Sequence, residues 1–170
     1  MEDELLIQRA KRGCNESFEK LIKDRGEKMY KLAYSYVKNE TIALEVVSEA
    51  TFKSYIHIHK VREIQYFDTW LCKIVINEAL TRIKKEKKLI SLESQHEQIE
   101  PTTHKGLEEK VDLYDALEYL KEEEKEIITM KYFGDVTFTH IGQALNKSEG
   151  TVKTIHYRAL KKIKKILEGG

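Results

Sequence analysis

The chain has 170 residues, of which 41% are hydrophobic and 35% are charged, and its formal net charge is +1. This length fits one domain or two small ones, and the apolar share is sufficient for a folded core. The N-terminus is acidic, and no apolar run is long enough to cross a bilayer. We therefore predict neither a signal peptide nor a membrane span, and we expect a cytoplasmic protein.

The residue pattern favours helices throughout. The sequence contains one proline and is rich in glutamate, lysine and leucine, which are good helix formers. Apolar residues recur at three- and four-residue steps, which places them on one helix face. In the first half, the predicted helices span 5–37, about 41–57 and about 68–88. Thr41 is a candidate cap of the second helix, and residues 59–68 are predicted to form a loop or a short helix.

The stretch from 89 to 108 differs from the rest of the chain. It is polar, lacks helical periodicity and contains Pro101, the only proline. These features are typical of a linker. Helical periodicity resumes afterwards, and no strand-like alternation persists anywhere. The sequence therefore predicts an all-α fold with two small helical domains, residues 1–88 and 109–170, joined by a flexible linker at 89–108.

Residues 137–155 fit a helix-turn-helix motif. A small residue is expected where the two helices cross, and a residue that tolerates left-handed backbone is expected at the turn. A side-chain cap should then open the second helix, whose first apolar residue packs back on the first helix. The residues that match, in chain order, are Thr137, Ile141, Gly142, Leu145, Asn146, Ser148 and Val152.

The second helix of such a motif enters the major groove of DNA. Its N-terminal turn, at Ser148 and Glu149, offers free N–H groups to phosphate. The predicted base-edge contacts are Thr151, Lys153, Thr154 and His156. Arg158 and Lys161 begin a cationic track that suits phosphate. The alternative is an ordinary helical hairpin with a solvated basic tail, because cations are common at helix C-termini.

These segments resemble the small extracytoplasmic-function class of bacterial sigma factors. Residues 148–160 are similar to the recognition helix of region four, and residues 113–120 are similar to its opening helix. Residues 32–37, 43–52 and 70–85 resemble region two, and the matches occur in the order of the family. Ile155 and His156 stand where the family often has a basic contact, so the promoter sequence itself is not predicted.

The resemblance implies three sets of functional residues. For the −35 element they are Ser148, Glu149, Thr151, Lys153, Thr154, His156, Arg158 and Lys161. For the −10 element they are Tyr66, Phe67, Lys73, Asn77, Arg82, Lys84 and Lys85. For core polymerase they are Glu45, Ser48, Glu49, Phe52 and Lys53. Trp70 is expected to be a core anchor rather than a base-stacking platform.

The resemblance therefore predicts a sigma factor that binds core RNA polymerase and promoter DNA and is held by an anti-sigma factor. We expect no enzymatic activity, cofactor, metal or small-molecule substrate, because no phosphate loop, nucleophile motif or ligand cluster is present. Cys14 and Cys72 lack metal or redox spacing, and we expect reduced thiols. Two alternatives stay open from the residues alone: a free-standing helix-turn-helix regulator and a protein-interaction module.

Overall fold

A computed structural model describes residues 1–93 and 112–169 of the chain, and this part contains helices and turns but no β-strand. The helices are α1 Glu2–Lys11, α2 Asn15–Val37, α3 Glu40–His57, α4 Phe67–Glu93, α5 Leu113–Leu117, α6 Glu122–Tyr132, α7 Phe138–Leu145 and α8 Glu149–Leu167. Two single 3-10 turns, Ile58–Lys60 and Ile64–Tyr66, connect α3 to α4. No helix in the described ranges is both long and apolar enough to cross a membrane.

The first predicted helix is two helices. The break lies at Gly13, whose φ of +96° is in the left-handed region that glycine adopts without steric cost. The apolar period continues across this break, so periodicity alone missed it. The start of the next helix was also predicted wrongly: Asn39, not Thr41, caps α3, with its Oδ1 accepting a hydrogen bond from Ile42 N at 3.0 Å.

Helix α4 is longer than the sequence predicted. It continues through Glu93, so residues 89–93 of the predicted linker belong to the helix. Leu89 and Ile90, in this last stretch, are 59% and 64% exposed. Because these residues are not part of a buried face, the apolar pattern predicted an end of the helix that is too early. Residues 94–108 of the predicted linker lie outside the described residues.

The turn between α7 and α8 confirms the helix-turn-helix prediction. Thr137 caps α7, and Asn146 ends it in the left-handed conformation, with φ of 58°. The hydroxyl of Ser148 accepts a hydrogen bond from Thr151 N at 3.2 Å and so caps α8. Val152 is fully buried.

Position 142 requires a residue without a side chain, because the backbone after α7 folds back directly over it. The backbone N–H of Lys147 donates to the carbonyl oxygen of Gly142 at 2.8 Å. A Cβ added at Gly142 would lie 2.6 Å from the carbonyl oxygen of Lys147, which is backbone and cannot rotate away. The close crossing of the two helices therefore requires glycine.

The two halves of the chain share one hydrophobic core. Buried residues of α1 to α4, such as Leu32 and Val75, form a continuous cluster with Ile127, Met130 and Ile141 of the second half. A smaller cluster lies between α5, α6 and α8. The solvent-exposed faces of the helices, which do not belong to these cores, are available for binding partners.

We expect Gly142→Ala to destabilise the fold by about 1–3 kcal/mol, the usual cost of overpacking. Gly150→Ala is the matched control, because a Cβ there meets nothing within 4 Å. That change should be neutral or stabilising by up to about 1 kcal/mol, since alanine favours helix over glycine. Urea unfolding followed by circular dichroism measures both, and equal stability of the two variants would contradict the close-crossing argument.

Candidate nucleic-acid interface

Helix α8 presents one continuous polar face to solvent. Thr151, Thr154, Arg158 and Lys161 recur at steps of three and four, so they share a side of the helix, and all four are exposed. Tyr157, which is 59% exposed, borders this face. The structure thus brings together four of the eight residues predicted for the −35 element.

Glu149 and Lys153 lie on the flank of α8 and neutralise each other. Their side chains are 3.0 Å apart, and the second Glu149 oxygen accepts a hydrogen bond from the Thr139 hydroxyl of α7 at 3.0 Å. The hydrogen bonds from Lys153 and Thr139 lower the pKa of Glu149. Glu149 therefore competes with phosphate for the Lys153 ammonium.

His156 was predicted as a DNA contact, and the structure contradicts this. It is 3% exposed, because it lies on the same side of α8 as Val152 and Ala159. Its Nε2 lies 2.8 Å from the Tyr132 hydroxyl. Burial, and then the nearby Lys131 charge, lower the pKa of the imidazole, so it is neutral at pH 7. His156 packs the helix-turn-helix rather than contacting bases.

A groove with aromatic and cationic walls lies at the start of α4. Tyr66 and Trp70, both half-buried, line it together with Lys60, Arg62 and Lys73. Trp70 packs against the core and also borders the groove. Lys60 and Arg62 were not predicted, although two cations just before an aromatic residue in an irregular stretch indicate single-strand binding.

Phe67 was predicted to face the −10 element, and this is wrong. Its ring is fully buried, and the Arg25 guanidinium lies 5.2 Å from the ring centroid. Arg25 also pairs with Asp68 at 2.5 Å and with Asp3 at 3.1 Å. Phe67 therefore anchors the first turn of α4 to α1 and α2 and has no surface for a base.

The remaining −10 residues divide between two sides of α4. Lys73, Asn77 and Lys84 lie within about 40° of one another around the helix axis, at 100° per residue. Arg82 lies about half a turn away, where it pairs with Glu45 of α3 at 2.6 Å. Lys85 lines the same α3–α4 cleft as Glu45.

The outer face of α3 is apolar as well as acidic. Phe52 is 59% exposed and Leu44 is 61% exposed, and Ser48 lies between them at four-residue steps. Glu45 and Glu49 are also exposed, whereas Lys53 is half-buried and pairs with Glu78 of α4. Phe52 was predicted to be part of this face, whereas Leu44 and Ile56, which extend the same exposed stripe, were not.

No group of three or more histidine, cysteine, aspartate or glutamate side chains is placed to hold a metal ion within 1–93 and 112–169.

The chain is similar to known transcription proteins in both halves. The Sigma-70 region 2 model matches residues 21–89, and the Sigma-70, region 4 model matches residues 116–165. RNA polymerase sigma factor SigV of Bacillus subtilis is 35% identical over 143 residues, covering 82% of this chain and 84% of SigV. The extracytoplasmic-function sigma factor SigW of the same organism is 26% identical, covering 95% of this chain and 94% of SigW.

Solved structures show the same fold. CnrH, in a complex with the cytosolic domain of CnrY, is 19% identical with a TM-score of 0.72, and the match covers 98% of this chain and 97% of CnrH. RpoE of Bartonella quintana, in a complex with the anti-sigma factor NepR, is 18% identical with a TM-score of 0.67. This match covers 89% of this chain and 96% of RpoE. From the region models and the SigV and SigW similarities, we conclude that the chain belongs to the extracytoplasmic-function class of RNA polymerase sigma factors.

Proposed function

We propose that this sigma factor directs initiation through three separate faces: α8 for −35 duplex DNA, the Tyr66–Trp70 groove for the −10 strand, and the outer stripe of α3 for core polymerase. The observation that carries the proposal is the chemistry of the three faces: those on α8 and α3 are exposed, the groove is open beside the half-buried Tyr66 and Trp70, and each suits its partner. A sigma factor is an initiation factor and not a catalyst, and its place of action is the cytoplasm, where RNA polymerase works. Residues 1–88 and 109–170 are the proposed functional domains.

The −35 proposal rests on the exposed side of α8. Threonine hydroxyls suit either base edge, while the Arg158 fork suits guanine or phosphate. Thr154 donates its hydroxyl hydrogen bond to the carbonyl oxygen of Gly150 at 3.0 Å, which leaves its lone pairs free to accept from a base. Ser148 and Thr151 lie at the N-terminal turn, where the helix dipole favours phosphate.

The −10 proposal rests on the mixture of side chains in the groove. Single-stranded bases stack on aromatic rings, while cations follow the phosphate backbone. Tyr66 and Trp70 supply the rings, and Lys60, Arg62 and Lys73 supply the charges. Asn77 and Lys84 extend this surface along α4, whereas Arg82 and Lys85 face α3 and are assigned only to backbone attraction.

The polymerase proposal rests on the stripe of Leu44, Ser48, Phe52 and Ile56 on α3. Exposed apolar residues in a continuous row indicate an interaction surface rather than scattered exposure. Glu49 beside the row favours a basic partner surface, because charge complementarity guides docking, whereas Glu45 is already paired with Arg82. The opposite side of α3 is buried against α2 and α4.

A free-standing regulator is not favoured. A simple regulator needs one duplex-binding motif. This chain also has a region that the Sigma-70 region 2 model matches, residues 21–89, which contributes to an aromatic and cationic groove.

An anti-sigma factor is a further proposed partner, because CnrH and RpoE of Bartonella quintana were solved with CnrY and the anti-sigma factor NepR. A groove between the two halves of this chain is lined by apolar residues, such as Leu80, Ile83 and Leu117, and by as many charged ones, such as Lys84 and Glu118. A helical segment with an apolar face suits such a groove. Proteins that copurify with the tagged full chain test this partner.

Arg158→Ala should weaken binding of the holoenzyme to promoter duplex by about tenfold, and by up to 3 kcal/mol if the guanidinium contacts a base. The slope of affinity against salt should also decrease by about one. Fluorescence anisotropy measures both, on duplexes that the wild-type holoenzyme selects from a random library. Lys23→Ala on α2 is the charge-matched control. Equal affinities of the two variants would remove Arg158 from the DNA face.

Tyr66→Ala should reduce open-complex formation by about tenfold, because stacking on one base contributes about 1–3 kcal/mol. Its unfolding free energy should fall by about 1 kcal/mol, since the ring is half-buried and packs edge-on against His140. Phe67→Leu should also lower stability but leave DNA binding by the folded protein normal. Permanganate footprinting and thermal unfolding separate these effects. A normal open complex with Tyr66→Ala would contradict the groove assignment.

Phe52→Asp should weaken binding to core polymerase by at least about tenfold, because it places a charge in an apolar contact. The fold should tolerate the change, since Phe52 is 59% exposed. Tyr119→Asp is the control, because Tyr119 is 69% exposed on the other half. Biolayer interferometry with purified core enzyme measures both. If Phe52→Asp binds as well as the control, the α3 face is not the docking surface.

A further inference from the structure

His156 is a titratable residue on the buried side of α8. The other buried residues of this helix, Val152, Ala159 and Ile163, are apolar, and the His156 ring is 3% exposed. Duplex binding by the opposite, exposed side of α8 makes no use of the imidazole. An apolar side chain would occupy this position without the cost of removing two ring nitrogens from water. The imidazole therefore adds a property to α8 that packing alone does not require.

The imidazole has a hydrogen-bond partner for only one of its two nitrogens. Nε2 lies 2.8 Å from the Tyr132 hydroxyl on α6, whereas Nδ1 is buried with no partner within residues 1–93 and 112–169. Burial raises the pKa of the Tyr132 hydroxyl, so this partner is neutral. A neutral imidazole can pair with it in either tautomer, because one nitrogen donates and the other accepts. A protonated imidazole has two donors, and Nδ1–H would then be an unsatisfied donor on a buried cation.

Three aromatic rings, Tyr132, Phe138 and Tyr157, form a box around the imidazole. Tyr132 stacks on it with the ring centroids 5.6 Å apart, while Phe138 of α7 and Tyr157 of α8 pack edge-on at 4.8 Å. The box thus joins three helices through one side chain. Any movement of the imidazole out of the box changes how α8 packs on α6 and α7.

Positive charge already surrounds the box. The ammonium of Lys131 on α6 lies 4.5 Å from the Phe138 ring centroid, and that of Lys153 on α8 lies 5.9 Å from it. The face of an aromatic ring attracts cations, so these two lysines already use Phe138. His140, the titratable residue of α7, packs against Tyr66 instead. An imidazolium would add a third positive charge at the same place.

The carboxylates on these helices do not offset that charge. Glu149 of α8 is paired with Lys153 at 3.0 Å and accepts a further hydrogen bond from α7. The four carboxylates of α6 lie within residues 122–126, at the opposite end of the helix from the box. Asp135, in the turn before α7, pairs with Lys28 at 3.3 Å. The site therefore suits the neutral imidazole and disfavours the charged one.

Acid should consequently weaken the packing of α8. Burial, and then the Lys131 charge, lower the pKa of His156 from its ordinary value of 6.5. An α8 that has left the box takes up a proton at a higher pH than a packed α8 does. The stabilisation of the packed state is therefore complete above the ordinary pKa. It is lost progressively as the pH falls through the lower pKa of the packed ring.

We propose that His156 is a positioning residue that makes duplex binding by α8 sensitive to acid. The neutral ring, held by the Tyr132 hydroxyl, keeps α8 packed against α6 and α7 with Thr154 and Arg158 turned outward. The charged ring leaves the box, and its exit loosens α8 from both helices. The link to the −35 element rests on the proposed function, whereas the proton-dependent packing of α8 does not.

Variants of the full chain separate titration from packing. His156→Gln keeps a polar group that can pair with the Tyr132 hydroxyl but does not take up a proton. His156→Leu fills the box with an apolar side chain and is the second variant without a titratable group. His59→Gln is the matched control, because His59 is exposed in the first half of the chain.

Hydrogen exchange of the free chain measures the packing of α8, because amide protection reports how often the helix opens. Protection is compared after correction for the pH dependence of the exchange chemistry, with α3 as the internal reference. In the wild type and in His59→Gln, protection of α8 should fall by up to about tenfold per pH unit below the ordinary pKa, the limit for one proton. Both variants at His156 should lose this dependence. Wild-type protection that does not change with pH, or an equal fall in both His156 variants, overturns the proposal.

Binding of the holoenzyme to promoter duplex tests the link to function. Between about pH 7.5 and about pH 5.5, the wild-type affinity should fall about fivefold relative to His156→Gln, because apparent affinity scales with the fraction of packed α8. Core polymerase should bind both proteins equally, since the α3 face lies elsewhere. Acid-sensitive protection without a change in duplex affinity would overturn the link to DNA and leave the packing intact. If Arg158→Ala also binds duplex normally, the −35 assignment of α8 fails instead.

Discussion

The close approach of Lys147 to Gly142 controls the direction of the DNA-binding helix. Because no Cβ fills the space 2.6 Å from the Lys147 carbonyl oxygen, the chain can turn back immediately after α7. Asn146 takes the left-handed conformation that this reversal needs, and Ser148 caps the helix that follows. The resulting angle buries Val152 and leaves the opposite side of α8 to solvent. The exposed face is therefore a consequence of a backbone contact in the turn.

Ion pairs divide the candidate DNA contacts into two kinds. Lys73, Arg82 and Lys153 are already paired with carboxylates, which weaken their attraction for phosphate. Arg158 and Lys161 form no ion pair within the described residues. Since counterion release from unpaired cations dominates electrostatic binding to DNA, α8 should supply most of the salt-dependent attraction.

The sequence was sufficient for features that depend on local chemistry, and insufficient for features that depend on packing between distant segments. The helix-turn-helix was predictable because each requirement falls on one residue type, as with Asn146 at the turn. Phe67 and His156 were predicted to face DNA because the sequence does not show which side of each helix is buried. Their orientation depends on contacts with residues distant in the chain, Arg25 for Phe67 and Tyr132 for His156. Cationic residues on α4 appear as one run in sequence but divide between two sides of the helix.

The core that the two halves share adds stability that neither half has alone. Each half alone is small, and small domains bury too little apolar surface to be strongly stable. Joining Val75 to Met130 and Ile141 adds burial that neither half has by itself. The pairs at the rim, such as Lys38 with Asp115, are solvated and individually weak, so they select the register without locking it.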